Sequence, residues 1–167
     1  MNAVTRTVVA GCGLAALVLA GCGPSEEVVR RIVHDEITAA AARSYHAPTP
    51  VIGPYSPAVK AGPLVFVSGQ IALVPATGAM LQTDIDAETR QVLENVRTVL
   101  ASAGCEPADV VSATVYLKDM NNYAKVNAVY GTFFPAGKYP ARVAVEVARL
   151  PKDANVEISV IAVKPGH

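Results

Sequence analysis

Apolar and polar positions along this chain fall into short blocks whose spacing predicts a small mixed fold between about residues 47 and 165. Leu64-Val65-Phe66-Val67-Ser68-Gly69, set off by the turn at Gly62-Pro63, predicts a strand. Pro75-Ala76-Thr77-Gly78 predicts a second turn, and its flanks a hairpin. Val92, Leu93, Val96, Val99, Leu100 and Ala103 then recur at helical spacing. Asp84 or Asp86 suits the start of that helix, and Gly104 suits the position just past its end. Val110 to Leu117 predicts the next strand. A second helix opens at Asn121 or Asn122, carries Tyr123, Val126, Tyr130, Phe133 and Phe134, and stops at Pro135. Two last strands, 142–150 and 156–163, are joined by Pro151-Lys152-Asp153.

The order strand, strand, helix, strand, helix, strand, strand predicts an α+β domain, one sheet with two helices on one face. Val156, Ile158, Val160 and Ala162 share one side of the last strand, opposite Glu157, Ser159, Ile161 and Val163. In the preceding strand Val143, Val145 and Val147 oppose Arg142, Ala144, Glu146 and Ala148. Both sides are partly apolar and two helices cover only one. A second subunit is the expected cover, so the domain is expected to be an oligomer.

Composition narrows the function classes. Lys plus Arg number 14 and Asp plus Glu also 14, without a basic cluster, which argues against nucleic acid as a partner. Of the three cysteines only Cys105 belongs to the folded part, and His34, His46 and His167 sit at or beyond its edges. That pattern offers neither a disulfide framework nor a zinc site.

Before the domain, Arg6 followed by the apolar run Val8 to Ala20 reads as an export signal, too short for a comfortable bilayer span. Leu19-Ala20-Gly21-Cys22 resembles a bacterial lipobox, which implies a signal peptide over 1–21 and a lipidated Cys22 as the mature N-terminus. Gly23 resembles the outer-membrane sorting pattern, so the expected location is the periplasm-facing cell envelope, with membrane contact only through the lipid. Residues 22–46 then form a tether, partly helical where Val28, Val29, Ile32, Val33 and Ile37 interleave with charges, and 47–167 form the domain.

The residue with the clearest chemical promise is Arg142, inside the β-branched run Pro140-Ala141-Arg142-Val143-Ala144-Val145-Glu146-Val147. A guanidinium held on a strand is a rigid fork suited to a small carboxylate. The structural alternative is an ion pair with Glu146 or Glu157.

Six stretches stand in order along the domain: Ile52-Gly53-Pro54-Tyr55-Ser56, Val67-Ser68-Gly69-Gln70, Thr89-Arg90-Gln91-Val92-Leu93-Glu94-Asn95, Val126-Asn127-Ala128-Val129-Tyr130, Pro140-Ala141-Arg142 and Val145-Glu146-Val147-Ala148-Arg149-Leu150-Pro151. Together they resemble the RidA (YjgF-type) family of enamine/imine deaminases. The resemblance implies a chorismate-mutase-like fold, a homotrimer whose sheets form a central barrel, and sites between subunits. It also implies hydrolysis of reactive 2-imino acids of the 2-aminoacrylate type to 2-keto acids and ammonia, without cofactor or metal. By position, Arg142 would clamp the substrate carboxylate and Glu157 would act on water or the leaving nitrogen. Tyr55, Gly69 and Asn127 would shape the pocket. Two departures stand out: Ala144 where the family often has cysteine, and Pro57 where glutamine is usual. A second reading is a non-catalytic module of the same fold that binds a small carboxylate or a protein partner.

Overall fold

The computed structural model describes residues 24–49 and 51–164, and the chain divides into two units between Ala39 and Ala40. The expected signal peptide and Cys22 lie outside the described residues. Helix α1 (Glu26–Ala41) has Glu26 and Glu27 in its first turn, where carboxylates oppose the positive end of the helix dipole, and an exposed Arg30–Glu26 pair at 3.8 Å. No helix among the described residues is long and apolar enough to cross a membrane.

The larger unit contains β1 (Arg43–His46), β2 (Ala58–Ala61), β3 (Leu64–Gln70), α2 (Ile85–Ser102), β4 (Val110–Leu117), α3 (Tyr123–Tyr130), β5 (Ala141–Glu146) and β6 (Val156–Val163). These strands form one mixed sheet in the order β1-β2-β3-β6-β4-β5. Chain topology explains why both helices share a face. From β3 through α2 to β4, and from β4 through α3 to β5, the chain steps in one direction across the sheet. Right-handed crossovers taken in the same direction place their helices on the same side. The pairing of β4 with β5 is parallel, as such a crossover requires. Strand β6 returns antiparallel between β3 and β4.

Between sheet and helices lie Val65, Val92, Val96, Leu100, Leu117, Val156 and Ile158, all fully buried. Each such side chain stabilises the fold by roughly 1.5–3 kcal/mol. The α2 stripe is the one its spacing predicts. Asp84 caps it, accepting the Ala87 N–H at 2.8 Å, and Gly104 follows its end at φ +75°, a left-handed conformation that favours glycine. Glu88, fully buried in the first turn of α2, accepts both the Asn155 backbone N–H and its side-chain amide at 2.7 Å, tying the helix to the start of β6.

The central barrel is not there. The six strands form an open sheet with β1 and β5 as its two edges, separated by the four strands between them. Closure requires the edge strands to pair, and here each pairs on one side only. The flanks of Pro75-Gly78 pair antiparallel only at Leu73 and Met80, with the Val74 N–H on the Ala79 carbonyl (2.9 Å) and the Leu81 N–H on the Ala72 carbonyl (2.8 Å), a minimal hairpin without full strands. Asn95 bonds to the alternate carbonyls of the same segment, its buried amide donating to Ile71 (2.9 Å) and Leu73 (2.8 Å), and so ties it to α2. Helix α3 ends at Tyr130, short of Phe133 and Phe134, yet both rings stay buried, with Phe134 4.8 Å from Tyr130. Strand β5 stops at Glu146, and the last two strands are not neighbours, since β4 lies between them. Strands β1 and β2, four residues each, carry too little alternation to be read in advance, and β1 falls in the segment expected to be tether.

Candidate functional site

Register places Arg142 and Glu157 on opposite faces of the sheet. Arg142 pairs with Ala113 on β4, and Glu157 pairs with Tyr116 on the same strand. Those β4 positions are three apart, an odd number, so their side chains point to opposite sides. Ala113 is buried under the helices; Tyr116 is on the face the helices leave open.

At the β5 edge, Arg142 meets α3. Tyr123, Asn127 and Tyr130 are spaced by four and three residues, so they line one side of that helix. Arg142 Nη1 donates to Asn127 Oδ1 at 2.6 Å and Nη2 to the Tyr123 hydroxyl at 3.1 Å. Its guanidinium carbon lies 4.7 Å from the Tyr130 ring centroid and 5.7 Å from that of Tyr123. Burial pushes the Tyr130 hydroxyl up to about 12, against the opposing pull of Arg142, so it stays neutral. The carboxylates expected as alternatives are elsewhere. Glu146 accepts the Met120 N–H at 2.7 Å, and Glu157 is across the sheet. Among the described residues Arg142 forms no ion pair, and three of its five N–H groups remain open to a ligand.

The other three predicted residues gather at the end of β3. Ser68 donates its N–H to the Pro57 carbonyl (2.9 Å) and its hydroxyl to the Ser56 carbonyl (2.7 Å). Those bonds hold the Tyr55 loop beside Gly69. Tyr55 and Gly69 border one small cavity of about 70 Å³, together with Ile71 and Asn95. On its other side Gly69 borders a cleft of about 400 Å³ with Tyr116, Arg149, Leu150, Glu157 and Ser159. A Cβ at Gly69 would overlap the Glu157 carboxylate, so glycine here is a condition for the acid's placement. Burial raises the Glu157 pKa above the ordinary carboxylate value, and among the described residues the carboxylate has no hydrogen-bond or ion-pair partner. Arg149, in the same cleft, is committed to Asp153 through bonds of 2.8 and 3.2 Å.

The five predicted residues thus form two groups, Arg142 with Asn127 and Glu157 with Gly69 and Tyr55. Sequence reasoning passed over Tyr123 and Tyr130, treated as helix stripe, and Tyr116 and Ser159, which flank Glu157. The signal for the first two was available: a four-plus-three spacing around Asn127 on one helix. Ala144 is partly buried against the core, and Pro57 is buried where its carbonyl anchors Ser68. Among the described residues no group of three or more His, Cys, Asp and Glu could hold a metal ion.

Comparison with known proteins gives consistent matches. Residues 44–164 match the family model described as endoribonuclease L-PSP. A RutC family protein of Pyrococcus horikoshii is 56% identical over 119 residues, covering 71% of this chain and 93% of that protein. A 2-iminobutanoate/2-iminopropanoate deaminase of Salmonella typhimurium is 49% identical over 115 residues, 68% of this chain and 89% of that one. Among solved structures, the YjgF gene product of E. coli superposes with a TM-score of 0.68 at 44% identity, covering 72% of this chain and 98% of that one.

Proposed function

The chain belongs to the RidA/YjgF family, and on that premise we propose that it hydrolyses reactive 2-imino acids to 2-keto acids and ammonia. The observation that carries this reading is the state of two charged groups. Among the described residues Arg142 is held only by neutral partners, and Glu157 is desolvated with none.

The chemistry needs no change of oxidation state. Water adds to C2 of the C=N bond, a tetrahedral carbinolamine forms, its nitrogen gains a proton, and ammonia leaves as C=O forms. Arg142 anchors the substrate carboxylate with the N–H groups that Asn127 and Tyr123 leave open. Glu157 takes a proton from the attacking water and delivers one to nitrogen. A carboxylate whose pKa is lifted toward neutrality can do both. Gly69 clears room for that acid and Tyr55 walls the neighbouring cavity. The non-catalytic alternative is disfavoured because binding a carboxylate gives no reason to desolvate Glu157. The nuclease in the family description finds no basic cluster in this chain to hold a phosphate backbone.

Because the Arg142 and Glu157 groups face opposite ways, one chain does not bring them to one substrate. The site is completed between copies in a homotrimer, Arg142 and Asn127 from one and Tyr55, Gly69 and Glu157 from its neighbour. The exposed Phe66, Val143 and Val145 on the helix-free face supply apolar surface for that contact. The layout at the N-terminus is a signal over 1–21, a lipidated Cys22, a tether over 22–46 and the domain over 47–167 facing the periplasm. Loss of acyl labelling in C22A, with release from the membrane fraction, tests it.

The decisive experiment mixes two inactive variants. R142A and E157Q are each assayed for keto-acid release from 2-aminoacrylate generated in situ, then unfolded together and refolded. Recovery of activity in the mixture supports the shared site. Wild type no faster than the uncatalysed background ends the deaminase reading, and an active protein of monomer mass ends the shared site.

A further inference from the structure

Arg142 is exposed, yet its guanidinium is held at both terminal nitrogens, by Asn127 at 2.6 Å and by the Tyr123 hydroxyl at 3.1 Å. We propose that Tyr123 is a positioning residue for substrate binding: by accepting a hydrogen bond from Nη2 it sets the plane in which Arg142 meets the substrate carboxylate. This rests on the deaminase reading and goes beyond the five residues that reading uses.

An unrestrained arginine side chain has rotamer freedom to lose on binding. A single bond at Nη1 leaves the fork free to pivot about it. A second acceptor at Nη2, with the Tyr130 ring 4.7 Å away, removes the pivot before substrate arrives. The acceptor also has to be uncharged. An acid there would hold the guanidinium as firmly but neutralise the charge that the substrate needs, and a hydroxyl does not.

Position separates this role from folding. Tyr130 is 4% exposed and packed on Phe134, so altering it disturbs the core. Tyr123 is 39% exposed, and its hydroxyl makes no hydrogen bond besides that to Arg142 among the described residues. Removing that one oxygen therefore tests orientation alone.

The full chain and its Tyr123→Phe variant are compared on a 2-imino acid generated in situ, and pyruvate binding to each is titrated by calorimetry. Y123F is expected to raise KM and the pyruvate Kd together by about fivefold, with kcat within twofold and an unchanged thermal midpoint. Tyr123→Glu should raise both further, because it pairs with Arg142 outright. Equal KM and pyruvate Kd in wild type and Y123F overturn the proposal, as does a fall in kcat at unchanged KM. A wild type that binds pyruvate more tightly than Y123F but releases no keto acid sinks the deaminase reading and leaves the role of Tyr123 in carboxylate binding intact.

Discussion

The β5 edge and the cleft beside Gly69 each present one ionisable group, and they treat it in opposite ways. Arg142 stays wet and is gripped by neutral atoms from α3, so its charge costs little to keep and is fully available. Glu157 is partly stripped of water, has no donor among the described residues, and packs into the space left by the missing Cβ at Gly69. On the proposed function, one region binds by charge and the other exchanges protons. That contrast fits a reaction in which a carboxylate has to be anchored while a proton travels at the adjacent carbon.

Substitutions at the two regions should separate their roles. The largest effect is expected from R142A, on the order of 10³-fold in kcat/KM through loss of two charge-assisted hydrogen bonds, with the fold kept because the side chain is exposed. Keto-acid release read against circular dichroism checks it, and a loss below tenfold would break the comparison at its binding end. E157Q comes next, expected to lower kcat on the order of 10²-fold while KM moves little, since the amide keeps the shape but carries no proton to the nitrogen. A matching rise in KM would show that Glu157 binds and does not transfer.

Gly69→Ala is expected to lower kcat about tenfold by pushing the carboxylate off its position, together with a modest drop in thermal midpoint from the overpacked contact. Unchanged kcat in this variant would show that Glu157 tolerates displacement. The smallest effect is one of pH. Burial lifts the Glu157 pKa, so the folded state holds its proton at higher pH than the unfolded chain does. Stability from this group is therefore full below the unfolded carboxylate value and declines as pH rises through the raised one. The acid limb of kcat/KM should lie above the ordinary carboxylate range for the same reason. E157Q should flatten both dependences, and a pH profile unmoved by that change would assign the limb to another group.

Much of this arrangement was legible in the chain. The α2 stripe from Val92 to Ala103, the Asp84 cap, the Gly104 terminus and the limits of β4 and β6 follow from local spacing and local hydrogen bonds, and those are where reading and structure agree. The hairpin expected around Pro75 shrinks to one antiparallel bridge, and the Asn95 amide that ties its first arm to α2 comes from more than twenty residues away. The turn after the fifth strand does not make its two flanking strands neighbours, because the crossovers place β4 between them. Asn95 and Glu88 lie in or beside the stretch that carries the family resemblance, yet both do structural work. Motif identity did not distinguish them from Arg142.

By itself the sequence determined which residue types stand where: an arginine on a β-branched strand, an acid alternating with core residues, a glycine at the end of another strand. Period-two alternation is enough to assign each to a face of its own strand. Only the tertiary structure decided that Arg142 and Glu157 occupy opposite faces of the sheet, because relative facing depends on register across β4, and register is set by long-range pairing and crossover handedness. The same pairing brought Tyr123 and Tyr130 under Arg142 and left the sheet open at β1 and β5.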